Sequence, residues 1–157
     1  MNKALYLFVG SIALILGLAF FHFSDSDFET LQGERLTWKA LEGEWVVLNY
    51  FAEWCAPCLR EVPELNHFNE QAQGQGIRLF AASFDALNKT ELQRIQSQYD
   101  MRFALIQTEP VPLMPVNKPQ QLPATFLISP EGKVVKTLLG EQTSESLFNE
   151  IALARRN

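Results

Sequence analysis

The run Glu44 to Phe51 (Glu-Trp-Val-Val-Leu-Asn-Tyr-Phe) leads almost directly into Trp54-Cys55-Ala56-Pro57-Cys58. It is apolar and rich in β-branched and aromatic residues, as a buried strand should be. Leu59, Val62, Leu65 and Phe68 then fall on one face of a helix. Strand, cysteine pair and helix in that order constrain the fold more than any other feature of the chain. The two cysteines are the only ones among 157 residues. A disulfide framework needs cysteines spread along the chain, and a structural zinc site needs four ligands. A lone Cys-x-x-Cys between a strand and a helix reads as a redox-active dithiol.

The placement assigns roles to the two sulfurs. At a helix start, unpaired backbone N–H groups and the positive end of the helix dipole stabilise a thiolate. Cys55 is therefore the expected exposed nucleophile. Cys58, one turn in, is the expected shielded resolving thiol. Pro57 has no N–H to lose in a first turn and its fixed φ suits one. No cofactor and no metal enters this reading.

Ala4 to Phe23 is a run of twenty residues without charge, long enough to cross a bilayer as a helix. Lys3 precedes it, and Asp25, Asp27 and Glu29 follow it. The positive-inside rule puts the N-terminus in the cytoplasm and the rest outside. A cleaved signal peptide is the competing reading, but bulky residues end the run where a small-residue cleavage site would lie. The expectation is an uncleaved anchor over 1–23 and one domain over 24–157. Without Lys3, that domain holds 12 of the 13 Lys and Arg, against all 18 Asp and Glu, a net charge of −6. It shows no basic patch, which argues against nucleic acid as a partner.

Further along, Phe28 to Leu36 reads as a small hairpin turning at Gly33, and Trp38 to Leu41 as one helical turn ended by Gly43. One helix is expected from Cys55 to about Gln73, kinked at Pro63. Ile77 to Ser83 reads as a strand and Thr90 to Tyr99 as a helix capped by Thr90. Phe103 to Gln107 reads as a short strand. Ala124 to Ser129 and Lys133 to Leu138 form a hairpin across Pro130-Glu131-Gly132, and Ser144 to Ala154 closes the chain as a helix. The alternation predicts an α/β fold with a mixed central sheet covered on both faces.

With the dithiol in its place, this order resembles the thioredoxin fold. More narrowly it resembles the membrane-anchored TlpA/ResA-like family of bacterial thiol–disulfide oxidoreductases, over roughly residues 28–154. Three segments carry the resemblance: Gly43 to Cys58, Leu59-Arg60-Glu61-Val62-Pro63-Glu64-Leu65, and Leu122-Pro123-Ala124-Thr125-Phe126-Leu127-Ile128. It implies that Pro123 is cis and lies opposite the dithiol, where Leu122 can pair edge to edge with an extended substrate chain. Trp54, Ala56 and Pro57 border the dithiol and join Leu122 as expected substrate-binding residues.

Asn49 occupies the position of a buried aspartate in cytosolic thioredoxins. The resemblance moves that acid–base task to Glu61, which joins Cys55, Cys58 and Pro123 as an expected catalytic residue. The alternative for Glu61 is a solvated glutamate on the helix surface. Trp54 is expected to flank the site and shield one side of it, with burial in the core as an alternative compatible with that role, and Glu53 reads as a surface charge. The segment Gln107 to Gln121 departs most from the family, with Pro110, Pro112, Pro115 and Pro119. That density excludes a regular helix or inner strand and favours a stiff extended loop. The segment around Gln120-Gln121-Leu122-Pro123-Ala124 also lacks the glycine-rich stretch and acidic residue of the cytochrome c maturation branch.

The resemblance implies a single-pass bacterial inner-membrane protein with its catalytic domain in the periplasm, reducing disulfide-bearing protein substrates. It also implies a membrane electron donor that re-reduces the dithiol. The alternatives are a disulfide-forming oxidase or isomerase, and a metal-binding or copper-delivery module using His67 without redox turnover.

Overall fold

The computed structural model describes residues 26–156. The expected anchor lies outside the described residues. Among the described residues, no helix is long and apolar enough to cross a membrane.

The described residues begin with a hairpin of β1 (Phe28–Glu29) and β2 (Arg35–Leu36), turned at Gly33, whose φ of 88° suits glycine. A 3-10 turn (Trp38–Leu41) leads into β3 (Trp45–Phe51). Next come α1 (Ala56–Arg60), α2 (Val62–Ala72), β4 (Ile77–Ser83), α3 (Lys89–Gln98) and β5 (Ala104–Ile106). The chain closes with β6 (Ala124–Ile128), β7 (Val134–Leu139) and α4 (Ser144–Ala154). The five-stranded sheet has the order β5-β4-β3-β6-β7. β3, β4 and β5 are parallel, while β6 runs antiparallel to β3 and β7 antiparallel to β6. This is the expected mixed sheet, with the apolar runs of β3 and β6 at its centre, buried along their whole length.

Alternation along the strands sorts the core into two layers. Val47 and Phe51 of β3, Leu79 of β4 and Leu127 of β6 meet Leu65 and Phe68 of α2, Leu92 and Ile95 of α3, and Leu147 and Ile151 of α4. The opposite face carries Leu48, Tyr50, Phe80 and Phe126, covered by Phe28, Trp38, Leu41, Met114 and Val116. Both faces are covered as expected, but the second is closed by the hairpin, the 3-10 turn and the proline-rich loop. All three long helices lie on the first.

Two local expectations need correction. Asn88, not Thr90, caps α3: its side chain accepts from the backbone N–H of Glu91, and the Glu91 carboxylate accepts from that of Asn88. Both residues suit a cap. Thr90 has Gln93 at the same spacing, so the local pattern allows either cap; the structure forms the reciprocal Asn88–Glu91 pair and places Thr90 inside the helix. The helix expected from Cys55 to Gln73 is two helices, broken at Glu61 and not kinked at Pro63.

Candidate active site

β3 delivers the dithiol. The loop after Phe51 turns at Ala52, whose carbonyl accepts from the Cys55 N–H at 3.1 Å. Cys55 is the N-cap of α1 and forms a disulfide with Cys58. The Cys58 N–H donates to Cys55 Sγ at 3.4 Å, so an orphan donor of the first turn already points at that sulfur. Pro57 occupies the second helical position, where its missing N–H costs nothing. Cys55 is 5% exposed and Cys58 1%, so both residues are buried in this oxidised state. The expected exposed nucleophile is thus buried in the disulfide-bonded form.

Glu61 explains the helix break. Its backbone closes α1 through Pro57 O and opens α2 by accepting from Leu65 N. Its side chain turns inward and is 2% exposed. Oε1 accepts from Asn49 Nδ2 at 2.8 Å, and Oε2 accepts from the Gln142 backbone N–H at 3.0 Å. Asn49 Nδ2 also donates to Thr125 Oγ1 at 3.1 Å. Pro63 then falls at the second position of α2, where proline is tolerated. Glu61 is therefore no surface residue.

Burial pushes the Glu61 carboxyl up to about 7, against the pull of the Gln142 N–H and the Asn49 amide. Removing the Asn49 amide removes one of those pulls. We expect Asn49→Ala to drive the Glu61 titration above that value and to cost about 2 kcal/mol of stability. Carboxyl-carbon NMR titration and urea unfolding read both effects. An unmoved titration would show that the amide does not reach the charge.

Pro123 lies at the mouth of the same site. The bond Leu122–Pro123 is cis, as the resemblance implies. Ala124 pairs with Tyr50, so Pro123 stands at the end of β3 from which the dithiol loop departs. Its carbonyl accepts from Gly140 N at 2.9 Å. Leu122 is half-buried and packs against both core layers. Ala56 is exposed and Pro57 half-buried beside the disulfide.

Trp54 is 66% exposed, which rules out its core reading. Its indole N–H donates to Asp85 Oδ2 at 2.8 Å, and its ring meets Phe84 edge-on at 6.2 Å. Phe84 and Asp85 line a cleft of about 360 Å³ together with Val111, Pro112, Met114 and Val116. Glu53 is a surface charge held by Arg94 at 2.8 and 2.6 Å. His67 sits exposed on α2. Among the described residues, no three His, Cys, Asp or Glu side chains come together as a metal site.

Several partners escape a reading of the sequence. Gln142, 81 residues beyond Glu61, contributes only a backbone N–H, which no side-chain pattern announces. Asp85 carries no local sign that it receives the Trp54 indole. Thr125 lies inside the recognised Leu122–Ile128 segment, but its hydroxyl matters only because the register sets it opposite Asn49. The proline-rich segment forms no helix or strand, as expected, and it holds a second cis bond, Glu109–Pro110, which the sequence does not announce.

The AhpC/TSA family model matches residues 21–137. A thiol-disulfide oxidoreductase ResA of Bacillus cereus is 32% identical over 117 residues, covering 74% of this chain and 67% of that protein. ResA of Bacillus subtilis is 28% identical over 127 residues, covering 81% and 70%. Among solved structures, StoA from Bacillus subtilis superposes with a TM-score of 0.67 at 22% identity, covering 78% of this chain and 92% of that one. A putative thiol:disulfide interchange protein DsbE from Chlorobium tepidum gives 0.68 at 22%, covering 81% and 90%. At that identity the two structures speak for the thioredoxin-like fold alone.

Proposed function

We propose that this chain, which belongs to the AhpC/TSA family and is a thiol–disulfide oxidoreductase of the ResA type, works as a reductase of protein disulfides. The same reading holds its domain on the periplasmic side of a bacterial inner membrane by the run Ala4 to Phe23. One observation carries the exchange chemistry: a buried glutamate, raised to about 7, lies one turn beyond the dithiol, where it can take and return a proton near neutral pH.

The reduced enzyme starts with two thiols. Cys55 loses its proton most readily, because the Cys58 N–H and the helix start favour its thiolate. The thiolate attacks one sulfur of the substrate disulfide. A bond forms between Cys55 Sγ and that sulfur, and the other substrate sulfur leaves as a thiolate and takes a proton. Glu61 accepts the Cys58 proton, and the Cys58 thiolate then attacks Cys55 Sγ. The second substrate sulfur leaves and receives a proton. Two electrons and two protons have passed to the substrate, and the enzyme holds the Cys55–Cys58 disulfide. Leu122, beside cis-Pro123, offers its backbone edge to the substrate chain. Trp54, Ala56 and Pro57 border the approach. A membrane protein that supplies two electrons returns the enzyme to its dithiol form.

The reduction potential of the pair tests the direction. A value near or below about −270 mV, as in thioredoxin, is expected of a reductase. A value approaching about −120 mV would make the protein a disulfide donor instead.

A further inference from the structure

Val111, 83% exposed, and Leu113, 68% exposed, are the most exposed large apolar side chains among the described residues. They project from Pro110-Val111-Pro112-Leu113-Met114-Pro115-Val116, seven residues without a charge. Two apolar tips on a loop need no explanation by themselves. Their tether gives these two one. The Leu113 N–H donates to Asp27 O at 2.8 Å, and the Trp38 indole N–H donates to Leu113 O at 2.8 Å. The Trp38 backbone N–H donates in turn to Asp27 Oδ2 at 2.7 Å. Leu113 is thus fastened on both sides to the segment where the fold begins.

Only Ser24, Asp25 and Ser26 separate Asp27 from Phe23, the last residue of the apolar run. Four residue steps span at most about 14 Å. The headgroup layer on each side of a bilayer is itself about 5–8 Å thick. If the run crosses the membrane, Asp27 and the Leu113 backbone bonded to it stay within about 9 Å of that layer, close enough for the loop's side chains to reach it.

We propose that Pro110 to Val116 is a membrane-docking loop, seated with Val111 and Leu113 in the interfacial layer of the bilayer that the N-terminal run crosses. This rests on the anchor reading given above. Trp38, half-buried and bonded to the loop, is a residue type that favours the same layer. The orientation has a functional consequence. β3, β4 and β5 all end on the side from which the dithiol loop and the proline-rich loop leave. A docked loop therefore turns the dithiol end of the sheet toward the membrane, within reach of an electron donor embedded there.

The test uses the full chain in phosphatidylcholine nanodiscs, with Val and Leu methyl groups labelled for NMR and a nitroxide on a fraction of the lipid. Val134 and Val135 are the internal control: they are exposed and apolar, but lie at the far end of β7, where Val134 pairs with Ile128, away from the dithiol end of the sheet. Val111 and Leu113 should relax severalfold faster than that control. Equal relaxation in a chain that co-elutes with lipid overturns the docking and leaves the anchor standing. A chain that does not co-elute with lipid overturns both. Methyl signals that ignore the nitroxide but shift when insulin is added assign the loop to the protein substrate, and overturn the proposal as well.

Discussion

Cys55→Ser lowers insulin reduction by at least about a thousandfold, because a serine hydroxyl is hardly ionised near neutral pH and forms no mixed disulfide. Cys58→Ser fails differently. Cys55 still attacks, the adduct forms, and nothing resolves it. The variant should accumulate a covalent complex with substrate that survives non-reducing electrophoresis and dissolves with dithiothreitol. The asymmetry follows from the fold. Cys55 holds the cap position with a donor N–H on its sulfur, while Cys58 is sealed inside the first turn at 1% exposure. Adducts on Cys55→Ser and none on Cys58→Ser would invert the two roles. A domain that merely binds a partner would keep its function in both variants.

The same contrast between local and distant causes explains what the sequence reveals. β3 is legible because its burial is continuous and all but Leu48 and Asn49 are β-branched or aromatic, and β4 because it is a short, mostly apolar run that follows the Gly74 and Gly76 turn signals. The β6–β7 turn is legible because Pro130-Glu131-Gly132 offers a glycine where φ reaches 73°. The dithiol and its helix start are legible because cap, proline and cysteine spacing are all local. The cis state of Pro123 follows only from resemblance, since nothing in the neighbouring residues demands it.

The break at Glu61 is hidden for the opposite reason. Leu59, Val62, Leu65 and Phe68 keep helical spacing straight through it, and Pro63 draws attention two residues too late. What stops α1 is a carboxylate that turns inward to meet Asn49 and Gln142, respectively 12 residues before it and 81 after. The second face of the sheet is hidden likewise. Gln107 Nε2 reaches Glu29 Oε1 and Thr30 O, each at 3.0 Å, so the loop and the N-terminal hairpin close that face together. The hairpin is readable by itself, but nothing in either segment announces that the two pair.

Glu61→Gln should remove a pH dependence that the wild type displays in both stability and chemistry. In the folded oxidised protein the Glu61 carboxyl sits at about 7, up from its usual 4.5. The folded state therefore holds this proton more tightly than the unfolded chain. The stability this gives is fully present below about pH 4.5 and is lost as pH rises through about 7, a change of about 3 kcal/mol. Glu29, Glu53 and Glu131 act with the opposite sign: hydrogen bonds from Arg35, Arg94 and Ser129 lower them, so their share is lost as pH falls below the usual carboxylate range. Urea unfolding of the oxidised protein between pH 4.5 and 7.5 isolates Glu61, and the downward slope should flatten in the glutamine variant. Glutamine can accept from Asn49 or from the Gln142 N–H, but not from both, because its second terminal atom is a donor. The variant should therefore start about 1–3 kcal/mol less stable at the acid end and converge on the wild type as the wild-type carboxylate ionises. In the reduced enzyme the carboxylate disfavours a neighbouring thiolate, so its removal should lower the cysteine pKa, read by the pH dependence of alkylation. Turnover should nonetheless fall roughly a hundredfold, since the resolving thiol loses its proton acceptor. A lower thiol pKa with slower turnover separates an acid–base role from a packing role, because lost packing alone would leave the alkylation profile where it was.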